Sequence, residues 1–71
     1  MGFIRYVSTG KSAPQVIINV SMNKGKSWQD RKLLPGQSFS VPKNSTNLLI
    51  NNVPYATNVD IEIRDGRVII K

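Results

Sequence analysis

Residues 59–71 leave this chain little conformational choice. Val59, Ile61 and Ile63 alternate with Asp60, Glu62 and Arg64. Asp65-Gly66 follows, and then Arg67-Val68-Ile69-Ile70-Lys71. A period of two places alternate side chains on opposite faces of a strand. Asp-Gly suits a two-residue type I′ turn, because both turn positions need positive φ. The turn sets the register, so the spacing predicts Arg64 opposite Arg67, Ile63 opposite Val68, Glu62 opposite Ile69 and Ile61 opposite Ile70. The expected inner face is Ile61, Ile63, Val68 and Ile70. Asp60 and Lys71 form a cross-strand charge pair in this register. Arg64 against Arg67 is a like-charge pair that costs stability unless an anion or an acidic neighbour sits beside it.

The rest of the chain keeps the same period. A strand is expected over Phe3 to Val7, and a loop over residues 8–14. Val16, Ile18, Val20 and Met22 then share one face of a strand, with Ile17, Asn19 and Ser21 on the other. Residues 23–26 turn the chain into a less regular strand over 27–34. Pro35-Gly36 is a turn, with Pro supplying a fixed φ and Gly tolerating a positive one. Ser38 to Val41 alternates again and points Phe39 and Val41 inward, and Pro42 ends it. Residues 44–47 turn, and a strand over 48–53 is broken by Pro54. Asn and Ser, seven of each, favour turns and weaken helix interiors. The expected fold is all-β, a single domain over 1–71. It is a small antiparallel β-sandwich or partly open barrel of six or seven short strands. Ile17, Leu49 and Ile69 fall on the minority faces of their strands, which points either to ordinary exposed apolar surface or to a protomer interface.

Length and composition exclude much chemistry. A chain of 71 residues buries only about 60% of the surface its unfolded form exposes. Such domains are commonly supported by disulfides, a metal or oligomerisation. The chain has no Cys and no His, which removes the disulfide and leaves no ordinary zinc ligand set. Catalytic triads built on His are impossible. The four acids are Asp30, Asp60, Glu62 and Asp65; Asp60 and Glu62 share the outer face two residues apart, a spacing that suits two neighbouring carboxylates or a weakly held cation but reads first as solvated outer-face charges. The chain is therefore expected to be no enzyme and to need no cofactor or metal. Gly10-Lys11-Ser12 and Gly25-Lys26-Ser27 resemble the end of a phosphate-binding loop. However, Arg5 and Val20 stand where the motif needs its first Gly, and no helix follows. No apolar run approaches the ~20 residues of a spanning helix. Arg5 interrupts the only N-terminal apolar pair, so no signal peptide is expected. The location expected is cytoplasmic, or outside the cell by a route without a signal peptide.

Ten Lys and Arg against four Asp and Glu leave a formal charge of +6, which attracts polyanions. Lys24, Lys26, Arg31 and Lys32 cluster around the only Trp, Trp28, and these five are the candidate binding residues. Trp lies well at a membrane interface, with an apolar body and a polar N–H. It also stacks on bases while cations neutralise phosphates. In a domain this small it equally serves as core.

The order of the central segment resembles small β-sandwich domains, such as the C-terminal membrane-binding domain of thiol-activated cytolysins. The residues concerned are the strand 16–22, Gly25-Lys26-Ser27-Trp28, the stretch Leu34-Pro35-Gly36-Gln37-Ser38-Phe39-Ser40-Val41-Pro42, and Ser45 to Ile50. The likeness covers roughly 16–50. The Trp-rich loop with its Cys is absent, so sterol recognition does not carry over. The resemblance implies a sandwich fold and binding at a membrane or cell surface. The leading expectation is a non-enzymatic, toxin-like binding module for anionic lipid or a cell-surface polyanion. The alternative is a small nucleic-acid-binding β-barrel, with Trp28, Tyr6 and Tyr55 as stacking groups. A third reading is an assembly module that forms a homo-oligomer through its second apolar faces.

Overall fold

The computed structural model describes residues 2–7, 14–65 and 67–70. Eight strands run in chain order: β1 Phe3–Val7, β2 Val16–Ser21, β3 Gln29–Leu33, β4 Ser38–Ser40, β5 Asn47–Ile50, β6 Val53–Tyr55, β7 Ile61–Arg64 and β8 Arg67–Ile70. They form two four-stranded sheets, β4-β1-β7-β8 and β3-β2-β5-β6. All pairings are antiparallel except β1 with β7, which is parallel. The sandwich class follows the alternation, and among the described residues the strands number eight.

The extra strand comes from residues 48–53, which are not one strand. Asn51 and Asn52 adopt φ of 50° and 67°. Two consecutive left-handed residues make the two-residue hairpin turn that joins β5 to β6. Asn tolerates that region better than most residues. The Asn51 side chain adds a tether, since its Oδ1 accepts the Ile17 N–H at 3.1 Å. Pro54 lies within β6 and does not break it. β6 is an edge strand, where a residue without an N–H costs the ladder nothing.

The core is one cluster contributed by both sheets: Ile4, Tyr6, Ile61 and Ile63 from one, Val16, Ile18, Val20, Leu33, Leu48 and Ile50 from the other, with Val41 beside them. Tyr6 is fully buried, and its hydroxyl donates to the Pro14 carbonyl. Phe39, Tyr55, Val59 and Val68 pack against the rim of this cluster. Leu34 to Gln37 is a β-turn closed by Gln37 N–H on Leu34 O at 3.0 Å, with Gly36 at φ 89°.

The C-terminal hairpin has the register its turn demands, Arg64 opposite Arg67 through Ile61 opposite Ile70. Three details differ from expectation. Ile70 lies on the inward side but is 56% exposed, because β8 is the edge of its sheet. Met22, expected to continue the inward row of β2, lies past the end of that strand and is exposed. Glu62 is not solvated: it is 7% exposed, and its Oε2 accepts from Arg64 Nε at 3.0 Å. That carboxylate is the acidic neighbour the Arg64–Arg67 pair needs. The Asp60–Lys71 pairing, the loop over 8–13 and the first Gly-Lys-Ser triplet fall on residues outside those described.

Candidate functional site

Trp28 is not in the core. It is 40% exposed and lies where the hairpin between β2 and β3 turns. A Cβ added to Gly25 would lie 3.5 Å from the indole, so the ring rests against the turn backbone. That turn carries Lys24 at φ 61° and Gly25 at φ 89°.

Side chains hold this tip together. Ser21, at the end of β2, is 1% exposed. Its hydroxyl donates to Asn23 Oδ1 at 3.0 Å and accepts the N–H of Gly25 at 2.8 Å and of Asn23 at 3.3 Å. Asn23 completes the ring: its Oδ1 accepts Ser27 N–H at 2.9 Å and its amide donates to Ser27 Oγ at 2.8 Å. Asn and Ser serve here for their compact donors and acceptors, which replace backbone pairing in a turn.

A second loop is tied to the first. β5 runs antiparallel to β2, so the segment before β5 lies beside the segment after β2. Thr46 makes the joint: its N–H donates to Ser21 O at 2.8 Å, and its hydroxyl donates to the same oxygen at 3.1 Å. That hydroxyl also accepts Lys24 N–H at 2.8 Å. The joint brings exposed Lys43 to the end of the molecule that holds Lys24 and Lys26. Segments 22–28 and 42–46 contain three lysines and no acid. Met22, just past the end of β2, is exposed as well.

The five residues expected to form the site are therefore divided. Lys24, Lys26 and Trp28 belong to the tip. Lys32 pairs with Ile17 at the other end of β3, four residues and about 13 Å from Trp28 along the strand. Arg31 faces the other way. It shares the inward side of β3 with buried Leu33, and its guanidinium lies 5.7 Å from the centroid of the Phe39 ring. Arg31 therefore caps the mouth of the sandwich between β3 and β4, as a cation over an aromatic face. Lys43 joins the tip although it is fifteen or more residues from its neighbours there. The only hint in the sequence is Thr46 and its surrounding turn residues, which do not name their partner.

Asp30 lies on the same face of β3 as Trp28 and Lys32, but its carboxylate is engaged by the Asn19 amide. Of the three aromatics suited to base stacking, Tyr6 is buried and Tyr55 is half-buried against the core. Trp28 is the most exposed of them. Among the described residues no group of His, Cys, Asp or Glu is arranged to hold a metal. Among the same residues no helix is long and apolar enough to cross a membrane. No family model, curated protein or solved structure matches this chain.

Proposed function

We propose that this chain is a non-enzymatic docking module that sets the tip of its β2–β3 hairpin on an anionic membrane surface. One observation carries the reading: an exposed Trp28 on a hydrogen-bonded turn whose only charges are Lys24, Lys26 and, from the adjoining loop, Lys43. The indole enters the interfacial region, and the ammonium groups remain at the level of the headgroups. The rigid turn lowers the entropy lost when these side chains are ordered on the surface. Each lysine near an anionic leaflet contributes about 1 kcal/mol. The docking weakens as salt rises, because it is largely screened Coulomb attraction.

A nucleic-acid partner is less well served. Single-strand binders stack successive bases on several aromatics along a groove, and here Tyr6 is inside the core.

Trp28 reports on its own site, being the only Trp. Its emission should move to the blue with phosphatidylserine-containing vesicles and not with phosphatidylcholine vesicles. The triple variant Lys24→Gln/Lys26→Gln/Lys43→Gln should lose on the order of 100-fold in vesicle affinity. Arg31→Gln/Lys32→Gln should bind nearly as well as the parent. Emission unchanged by anionic vesicles but quenched by single-stranded DNA or RNA would refute the membrane reading in favour of nucleic acid.

A further inference from the structure

A groove of about 410 Å³ lies on the outer face of the β4-β1-β7-β8 sheet, at the far end of β3 from the tip. β1 sets Phe3, Arg5 and Val7 on that face at every second position. The turn from β3 into β4 supplies the rest of the lining, with Pro35, Gln37 and Ser38. Backbone bonds hold the turn against β1. Tyr6 N–H donates to Gln37 O at 3.0 Å, and Gly36 N–H donates to Tyr6 O at 2.9 Å. Pockets that take small molecules begin at roughly 300 Å³.

The side chains in this groove offer donors and no carboxylate. Arg5 is exposed, and its guanidinium forms no hydrogen bond or ion pair among the described residues. Ser38 stands opposite Arg5 on β4, and its hydroxyl is likewise unengaged among them. Gln37 is oriented by the turn: its Oε1 accepts Leu34 N–H at 2.9 Å. That bond uses the amide oxygen and leaves the two N–H donors of the same amide. Phe3, 39% exposed, with half-buried Val7 and exposed Pro35, adds apolar surface beside the donors. Asp60 and Glu62 lie on the other side of Arg5, in a separate groove of about 170 Å³, and neither forms an ion pair with it.

We propose that the larger groove binds a small apolar carboxylic acid, with its carboxylate on Arg5 and its body against Phe3, Val7 and Pro35. The planar fork of a guanidinium matches a carboxylate with two parallel hydrogen bonds. The Ser38 hydroxyl and the Gln37 amide supply donors to the remaining lone pairs. A single cation with acids beyond it matches one negative charge and not a polyanion, whose further charges would meet Asp60. The site shares no residue with the tip, so it stands whether or not the tip docks on a membrane.

The test is a heteronuclear NMR titration of the full chain with phenylacetate. Amides of Arg5, Val7, Gln37 and Ser38 should shift, with a Kd on the order of a millimolar. Phenylacetamide, which keeps the ring without the charge, and acetate, which keeps the charge without the ring, should each bind on the order of tenfold more weakly. Arg5→Gln should lose on the order of tenfold or more. Arg67→Gln, on the same face outside the groove, should bind like the parent, and so should the triple lysine variant of the tip. Acetyl-Gly-Gly-Phe carries the same carboxylate at a peptide end, and whichever acid binds tighter names the source. Should Arg5→Gln fold poorly, the comparison of phenylacetate with its amide on the parent chain decides. Equal binding of phenylacetamide or of acetate, shifts centred on the tip, or no saturable shift at tens of millimolar would overturn the proposal.

Discussion

Ser21→Ala tests whether the tip is a built structure or a loop that happens to be ordered. The hydroxyl removed is 1% exposed and makes three hydrogen bonds, one donated to Asn23 Oδ1 and two accepted from Asn23 and Gly25 N–H. Alanine fills nearly the same volume, so little packing is lost. What remains is the N–H of Gly25 and of Asn23 without their acceptor, while Asn23 Oδ1 keeps the Ser27 N–H. An unsatisfied buried group costs about 1–3 kcal/mol. Asn23 is exposed, so water recovers part of its loss and the Gly25 N–H sets the scale. The expected destabilisation is about 2 kcal/mol. In a domain of this size that lowers Tm by roughly 8–15 °C. Urea unfolding followed by Trp28 emission gives the free energy, and circular dichroism gives the melt. Vesicle binding should weaken too, although no charge has changed, because Lys24, Lys26 and Trp28 lose their shared frame. A stability loss under about 0.5 kcal/mol, the range of ordinary surface substitutions, would refute the argument that this hydroxyl organises the tip.

Other expectations follow from single contacts. Gly2→Ala would bring a Cβ to 2.5 Å from Val59 O and 2.9 Å from Thr57 O. Backbone must shift, so a thermal melt should report a loss of about 1–3 kcal/mol. Asn52→Val, at φ 67°, should cost about 1–2 kcal/mol in urea unfolding, because a β-branched residue resists the left-handed region. Glu62→Gln removes the charge that accepts from Arg64 and leaves Arg64 facing Arg67. The loss expected is about 1 kcal/mol, given that Arg64 is half exposed, and it should shrink in high salt. A salt-independent loss would mean that packing and not charge holds Glu62.

The sequence by itself determined the fold class, the C-terminal hairpin and its register. These depend on neighbours along the chain: alternation is read two residues apart, and Asp65-Gly66 carries its own turn geometry. The inward placement of Phe39 and Val41 and the Pro35-Gly36 turn were legible for the same reason. Asn51-Asn52 was harder to see. Asn-Asn is a weaker turn signal than Asn-Gly, and the apolar run Leu48-Leu49-Ile50 with Val53 beyond it imitates one long strand. Only the tertiary structure decided what depends on cross-chain contacts. It decided which of Arg31 and Lys32 turns inward, setting the Arg31 guanidinium over the Phe39 ring. It tied the loop that carries Lys43 to the Lys24 turn through Thr46, a joint with no local signature. It left Trp28 outside a core that aliphatic residues and Tyr6 already fill. It also made β8 an edge: strand order depends on which sheets close over the shared core, and periodicity along one strand carries no information about its neighbours.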